Sequence, residues 1–299
     1  MNLPDSTMPT ETTGLHKRIE SGKQILIAEL SSPENGDAEP LRDAARKLAK
    51  RVHAAGISDN RGVVGVSSLA GAAIIASAGV EPILHVTTRD RNRIALVSEC
   101  LGAIALGIRN IICTSGTGET LRHVPAARSV FDVDSIQLLD MFRRLPSSAG
   151  DAALCLGAVA TPQADPIELQ AMRLIKKCES GARFLVTHPI FDIERFNLWW
   201  AETARRGAHE KAAVIAGVKV LTSADEARRQ AARRPSAGIP ESLLARICGK
   251  ASPAEQQAVG IEIAVETIRS LSGLKGLRGF HLSGSAVPEV MEKSGLKAD

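Results

Sequence analysis

Eight short apolar runs of strand length recur along this chain of 299 residues, and stretches with helical periodicity separate them. Strands that alternate with helices in this way are typical of a parallel sheet covered by helices. Eight such units predict an α/β fold, a single closed (β/α)₈ TIM barrel, whose usual size is about 250 residues. A doubly wound open sheet is the alternative. The runs are QILIAEL (24–30), VHAAGIS (52–58), PILHVTT (82–88), NIICTS (110–115), ALCLGAVA (153–160), RFLVTHP (183–189), AVIAGVKV (213–220) and GFHLSG (279–284).

The first residues, MNLPDSTMPTETTG, are polar and lack the basic and apolar blocks of a signal peptide. We therefore expect residues 1–22 to form a flexible lead-in and residues 23–299 to form one barrel domain. The longest apolar runs, such as LAGAAIIASAGV, are about half the ~20 residues that a membrane span requires. The sequence thus predicts a cytoplasmic protein without membrane contact.

Composition narrows the classes of ligand. The five cysteines are scattered without CxxC spacing, which predicts buried thiols and no metal site. The formal net charge is +4 and aromatic residues make up only 3%, so a basic face with stacking platforms for nucleic acid is not expected. A mild positive charge instead suits an anionic small molecule, such as a nucleotide or a polyglutamate.

Polar residues gather where the predicted strands end, and the carboxyl ends of barrel strands carry the chemistry in this fold. Glu29 and His85 lie within apolar runs, where each needs a buried partner or a ligand. The turn in IICTSGTGET (111–120) is rich in Gly, Ser and Thr and offers backbone N–H groups to a phosphate. It lacks the Lys of a P-loop, and a simple connection from strand to helix explains it equally well.

The order of motifs resembles the methylenetetrahydrofolate reductase family, flavin-dependent (β/α)₈ enzymes of one-carbon metabolism, over about residues 24–284. The resemblance rests on the segments AELSSP, ISDNRGVVGVSSLAGAAII, EPILHVTTRDRNRIALVSECLGAIALGIRNIIC, VFDVDSIQLL, GARFLVTHPIFDIERF and GFHLSG. The long middle block is the most specific part. It is similar to a branch typical of acetogens and related bacteria.

The resemblance implies roles for individual residues. Glu29 corresponds to the acid that donates a proton when the imidazolidine ring of the folate opens. Gly116 corresponds to a glycine that lets the backbone approach the flavin. The folate substrate is expected to meet Asp59, Gln163 and His281. Four side chains are implied to line FAD and to hold its ring system and pyrophosphate: Ser58, His85, Phe131 and Lys177.

The chain departs from the family pattern at three positions. Thr117 stands where relatives carry an Asp, and a hydroxyl cannot supply the negative charge of that acid. Glu119 or Asp59 would have to supply the charge instead. His188 stands where relatives carry a Gln, which brings a group that titrates near neutral pH to the expected catalytic set of Glu29, Thr117 and His188. Ala224 replaces an aromatic residue.

Other interpretations of these residues follow from the sequence alone. Lys177 follows Lys176 on a predicted helix and is equally well read as solvated charge, while His188 and His281 are alternatively structural histidines. Trp199 and Trp200 have helical spacing from Phe196, which favours packing or a subunit contact over ligand stacking.

The functional hypothesis is a reductase that interconverts 5,10-methylene- and 5-methyltetrahydrofolate by hydride transfer with FAD. A tetrahydrofolate-dependent methyltransferase or demethylase component without redox chemistry is the alternative, and the missing Asp at Thr117 favours it. A non-catalytic binding subunit is a third class. The expected partners are a folate, an electron-donor or methyltransferase protein, and further copies of this chain in a homo-oligomer.

Overall fold

Eight parallel strands close into a barrel in the computed structural model of this chain, which describes residues 13–60, 63–117, 127–145, 153–232 and 238–299. The strands pair in chain order, and the last lies beside the first. This closure confirms the predicted barrel, and each predicted run overlaps one strand. The strands are β1 (Ile25–Leu30), β2 (Ala54–Ile57), β3 (Pro82–Thr87), β4 (Asn110–Thr114), β5 (Cys155–Ala160), β6 (Phe184–Pro189), β7 (Ala213–Lys219) and β8 (Leu277–Ser283).

Helices surround the barrel, and polar side chains fix where several of them begin. Asp134 and Ser252 each accept a hydrogen bond from the backbone three residues on, while Gln137 and Glu255 bond back to the cap residue. In the described ranges the α-helices are α1 (Gly14–Glu20), α2 (Glu39–Leu48), α3 (Ser68–Ser77), α4 (Arg93–Ala105), α5 (Ser135–Arg143), α6 (Ile167–Glu179), α7 (Ile193–Arg205), α8 (Ala208–Lys211), α9 (Ala224–Ala231), α10 (Glu241–Cys248), α11 (Pro253–Ser272) and α12 (Val287–Ser294).

Alternation along each strand divides the core into two layers. On β1, Leu26 and Ala28 pack outward against the helices, whereas Ile25 and Ile27 belong to a separate cluster inside the barrel. Because side chains alternate between the two faces of a strand, the next inward residue of β1 is Glu29. The strand therefore carries its apolar inward residues toward one end of the barrel and its carboxylate toward the other.

Helix α1 covers the end of the barrel where the strands begin. Leu15 and Ile19, four residues apart on one helical face, join the inner cluster, and Leu15 is fully buried. The backbone N–H of Leu15 also donates to Glu81 Oε1 at 2.9 Å. The expectation of a flexible lead-in over residues 1–22 is therefore wrong for residues 14–20, since burial of this apolar pair holds the helix in place. Residues 1–12 lie outside the described residues.

The two tryptophans pack inside the chain. Trp199 is fully buried and Trp200 nearly so, with ring centroids 5.4 Å and 6.1 Å from that of Phe196. This supports the packing interpretation and leaves neither ring exposed for a subunit contact. None of the described helices is long and apolar enough to cross a membrane.

Candidate functional site

A cavity of about 370 Å³ opens at the carboxyl ends of the barrel strands. On β1 and β3, the alternation that places Ile27 and Ile83 inside the barrel brings Glu29 and His85, two positions further along, to this end. Most of the predicted site residues line it: Glu29, Ser58, Asp59, His85, Gly116, Thr117, Lys177, His188 and His281. The positions that were expected to share one mouth of the barrel therefore do so.

Glu29 lies between two polar neighbours. The hydroxyl of Ser58, just past the end of β2, donates a hydrogen bond to Glu29 Oε1. His281 approaches from β8, with its Nε2 3.6 Å from Glu29 Oε2. Both partners are set by register, because β1 pairs with β2 on one side and with β8 on the other. The carboxyl group is thus held by a hydroxyl and accompanied by an imidazole, an arrangement suited to proton transfer.

His85 is held in the wall of the same cavity. It is buried on β3, and Gly56 on the neighbouring strand leaves room for its ring. A Cβ added at Gly56 would lie 2.8 Å from His85 Nε2, so a larger residue there would displace the imidazole. The glycine in VHAAGIS therefore leaves the space that the ring of His85 occupies.

Asp59 faces the cavity but its carboxylate is already bound. Arg91 Nη1 lies 2.5 Å from Oδ2 and Nη2 lies 3.2 Å from Oδ1, while the backbone N–H of Thr87 donates to Oδ2 at 3.0 Å. Arg91 balances the negative charge, so Asp59 is not placed to replace the acid that Thr117 lacks. Its contacts instead tie the end of β2 to the end of β3. Glu119, the other candidate for that charge, lies outside the described residues.

Lys177 and Arg173 form a cationic wall, one helical turn apart on α6. Lys177 is 8% exposed, and its Nζ donates to the carbonyl oxygen of Val159 at 2.5 Å. Burial, and secondly the charge of Arg173, lower the pKa of Lys177 to about 8. The interpretation of Lys177 as solvated charge is therefore wrong. Two like charges at this spacing destabilise each other, so an anion bound against them would be favoured.

Arg173 and Arg89 are cavity residues that the sequence reasoning missed. Arg89 is buried in the 3₁₀ turn after β3, where its Nη2 bonds to Asp90 Oδ2 at 2.8 Å and to the carbonyl oxygen of Asn60 at 2.9 Å. Arg173 could have been found from its four-residue spacing from Lys177, which places both side chains on one face of α6. Nothing in the local pattern of TTRDRNR shows which of its arginines reaches the cavity.

The turn after β4 forms one rim of the cavity. Gly116 has φ +76°, and an added Cβ would lie 2.5 Å from Thr87 Cγ2, so only glycine fits. Its N–H donates to Thr114 Oγ1 at 3.3 Å, within the turn. Thr117 follows as an exposed rim residue. The described part of the turn in IICTSGTGET thus closes on itself at Gly116, and Thr117 brings its hydroxyl to the cavity.

A bulge on β6 places His188. The register with β7 shifts between Val186 and Pro189, and a shift of this kind re-aims side chains near sites. Thr187 Oγ1 holds the irregular stretch by accepting from Gly217 N and donating to the carbonyl oxygen of His188, both at 2.8 Å. His188 lines the cavity as a result.

Two predicted site residues do not reach the cavity. Phe131 is 43% exposed in the segment before α5, with φ +44°. Gln163 is buried two residues beyond Thr161, and a Cβ added at Gly238 would lie 2.9 Å from its Cδ. Neither residue lines the cavity, so the contacts of Phe131 with FAD and of Gln163 with folate stay predictions.

Comparison with known proteins assigns the family. The family model described as methylenetetrahydrofolate reductase matches residues 14–294. The chain belongs to this family. A probable methylenetetrahydrofolate reductase (NADPH) from Caenorhabditis elegans is 24% identical over 238 residues, which are 77% of this chain and 34% of the relative. The chain thus spans about a third of the length of that relative.

Solved structures share the fold of this chain. An uncharacterized protein from Clostridium thermocellum that binds two copies of 5-methyl-5,6,7,8-tetrahydrofolic acid matches with a TM-score of 0.65, 11% identity, and coverage of 94% of this chain and 96% of that one. A riboflavin lyase with modified FMN and riboflavin matches with a TM-score of 0.51, 11% identity, and coverage of 92% and 93%. The acetogen-type branch stays a prediction.

Proposed function

We propose that this protein interconverts 5,10-methylene- and 5-methyltetrahydrofolate with FAD as its redox cofactor. The observation that carries the proposal is the placement of Glu29 at the open end of the barrel between Ser58 and His281. A carboxylic acid in this position can protonate the ring nitrogen that leaves the one-carbon unit as the imidazolidine ring opens. Membership in the family supports the same reaction.

Ser58 and His281 are proposed to assist Glu29, the first by orienting its carboxyl group and the second by exchanging a proton with it. The hydroxyl of Ser58 holds Oε1 of Glu29, so the carboxyl group keeps one orientation. The imidazole of His281, with Nε2 3.6 Å from Oε2, is the group that would return a proton to Glu29 after each turnover. His281 is thus proposed as a proton-exchange partner of Glu29 in addition to a folate contact.

The residues around the cavity fit FAD. The buried ammonium of Lys177 donates one hydrogen bond, to Val159, and the neighbouring guanidinium of Arg173 adds a second positive charge, a donor set suited to a pyrophosphate. Ser58 and His85 would contact the ring system, beside the rim at Gly116. When bound, FAD supplies hydride transfer to or from the one-carbon unit.

The folate and the protein partners are proposals of the same kind. The Clostridium thermocellum neighbour that binds 5-methyltetrahydrofolic acid supports a folate ligand, and the cations at the cavity suit the glutamate tail of a folate. His188 is proposed to contact the pterin from the opposite side of the barrel. An electron-donor protein and a homo-oligomeric state remain expectations of the sequence.

The test compares Glu29→Gln with Glu226→Gln. The amide keeps the shape of Glu29 and removes its proton, so turnover of methylene- and methyltetrahydrofolate should fall by ~10² to 10⁴-fold. FAD absorbance and folate affinity should stay near the wild-type values. Glu226 is bound by Lys219 at 3.0 Å, outside the cavity, so its variant should keep activity. Near-normal turnover of Glu29→Gln would remove this residue from the mechanism.

The tetrahydrofolate-dependent methyltransferase or demethylase is a second candidate, favoured by the hydroxyl of Thr117 at the cavity rim. A site without redox chemistry needs no acid beside a flavin. Incubation of the purified protein with tetrahydrofolate forms, with and without FAD and a reductant, separates the two functions. Methylene and methyl forms that interconvert only with FAD support the reductase, whereas colourless protein that moves a methyl group without FAD supports the second function.

A further inference from the structure

A second cavity, of about 310 Å³, lies at the end of the barrel where the strands begin. Arg109 immediately precedes β4, and Leu156 is the second residue of β5, so this cavity is separated from the candidate site by the length of a strand. Its walls combine apolar side chains with cationic ones. Ile104, Phe142 and Leu154 supply the apolar part, between the ends of α4 and α5.

Arg109 is the most enclosed cation of this second cavity. It is only 5% exposed, and its Nη1 donates to the carbonyl oxygens of Ile104 and Ile108 at 2.8 Å and 3.3 Å. In the part of the chain that the structure describes, these are its hydrogen bonds, and no carboxylate pairs with it. A guanidinium carries five N–H donors. Burial of an unpaired charge is unfavourable, so an anion in the cavity would be bound strongly.

Two further guanidinium groups stand at the edge of the cavity. Arg143 and Arg183 are each about half exposed and paired with one carboxylate, Asp140 at 2.6 Å and Glu20 at 3.3 Å. Exposed pairs of this kind contribute little to stability, so each guanidinium can add a second acceptor. Gly181, with φ +115°, keeps Arg143 against the cavity, since an added Cβ would lie 2.9 Å from Arg143 Cδ.

His16 adds a polar group from α1. The residue is 8% exposed, Nε2 lies 3.3 Å from Glu20 Oε1, and Nδ1 has no hydrogen-bond partner among the described residues. Burial lowers the pKa of His16 below its ordinary value, so the ring is neutral at pH 7 and offers either a donor or an acceptor. A cavity of this size with apolar walls and a few convergent polar groups has the character of a ligand site.

We propose that this second cavity binds a small organic anion, a carboxylate or phosphate group carried on an apolar body, with Arg109 bound to the anionic group. Arg143 and Arg183 would contact the same group from the edge, and the apolar walls would cover the body. The site is distinct from the proposed folate site, and the proposal stands whether or not the protein is a reductase.

Isothermal titration of the full chain with four probes tests the proposal. Phenylacetate and phenyl phosphate carry the two possible anionic groups on one apolar body, phenylacetamide removes the charge, and inorganic phosphate removes the body. We expect one of the two aromatic anions to bind at least about tenfold more tightly than the amide and than inorganic phosphate. Equal affinity for the anions and the amide, or no binding of either anion, would overturn the proposal.

Variants locate the bound probe. Arg109→Met should weaken binding of the preferred anion by at least about tenfold, whereas Arg228→Met, which removes an exposed guanidinium paired with Asp225, should leave it unchanged. Lys177→Met tests the other cavity. Binding that is lost in Lys177→Met and kept in Arg109→Met belongs to the candidate functional site and contradicts the proposal. If Arg109→Met does not fold, the double variant Arg143→Met, Arg183→Met decides, and unchanged affinity there overturns it.

Discussion

The inward residues of single strands differ in chemistry from one end of the barrel to the other. On β1, Ile25 and Ile27 are fully buried at the closed end, and Glu29 is the next inward residue at the open end. On β3, Ile83 is followed in the same way by His85. The change from apolar to polar therefore takes place within one step of the alternation, about 7 Å along the strand.

The difference between the ends shows what each contributes. At the closed end, α1 seals the inner cluster, and burial of apolar side chains such as Leu15 stabilises the fold. At the open end, buried polar groups reduce stability unless they are paired, and the lowered pKa of Lys177 shows such a cost. Proteins commonly lose stability at functional sites in this way. Substitutions at the two ends should therefore have opposite effects on the free energy of unfolding.

The largest effect on stability is expected for Leu15→Ala at the closed end. Removing this fully buried side chain should lower the free energy of unfolding by about 2–5 kcal/mol. Urea denaturation measures the change. Folate and FAD affinity of the folded fraction should stay the same, because α1 lies at the far end of the barrel. Leu198→Ala, at a 62% exposed position on α7, should change stability by less than about 0.5 kcal/mol. Altered affinity in Leu15→Ala would show that the two ends are coupled.

A smaller effect of opposite sign is expected for Lys177→Met at the open end. The pKa of Lys177 in the folded chain is about 8, against 10.5 for an ordinary lysine. A tenfold change in an acid dissociation constant corresponds to about 1.4 kcal/mol, so removing the buried charge should raise the stability of the ligand-free protein at pH 7 by roughly 1–3 kcal/mol. The same change should weaken FAD binding. Lys176→Met, at the exposed neighbour, is the matched control and should do neither.

The pH dependence gives this prediction a second measurement. Between about pH 8 and 10.5 the unfolded chain holds a proton on Lys177 that the folded chain has lost, so wild-type stability should rise with pH across this window. Below pH 8 both states hold the proton and the full cost is present. Lys177→Met should lack the rise. If Lys177→Met is less stable than the wild type at pH 7, the hydrogen bond from Lys177 Nζ to Val159 outweighs the cost of burying the charge.

The fold and most of the cavity followed from sequence because period-two alternation determines both. Glu29 and His85 stood out as polar residues inside apolar runs, and the closed sheet brings them to one mouth. Phe131 and Gln163, which do not line the cavity, lie in connecting segments, where no periodicity indicates the direction of a side chain. The buried state of Lys177 was not readable from its neighbours, since it depends on how α6 lies against β5.

The helix at the closed end shows another limit of sequence reasoning. Leu15 and Ile19 lie next to a polar segment, and two apolar residues are too few for a periodic signal. Their burial depends on the open base of the barrel, a tertiary feature. Asp59 is similar, because its ion pair with Arg91 joins residues 32 positions apart. Long-range partners of this kind decide whether a carboxylate is available to a ligand.

Thr117→Asp should have the smallest effect on stability, since Thr117 is an exposed rim residue, and it bears most directly on the nature of the open end. A carboxylate there would oppose an anionic reduced flavin and should lower the reduction potential of bound FAD. Thr117→Asn, of similar size and without charge, is the control. If the site transfers methyl groups without a flavin, the aspartate should instead change tetrahydrofolate affinity and leave no redox signature. A charge placed against a bound flavin or pterin alters the reduction potential, the folate affinity or the turnover. If Thr117→Asp changes none of the three, the turn is only a connection between β4 and the next helix.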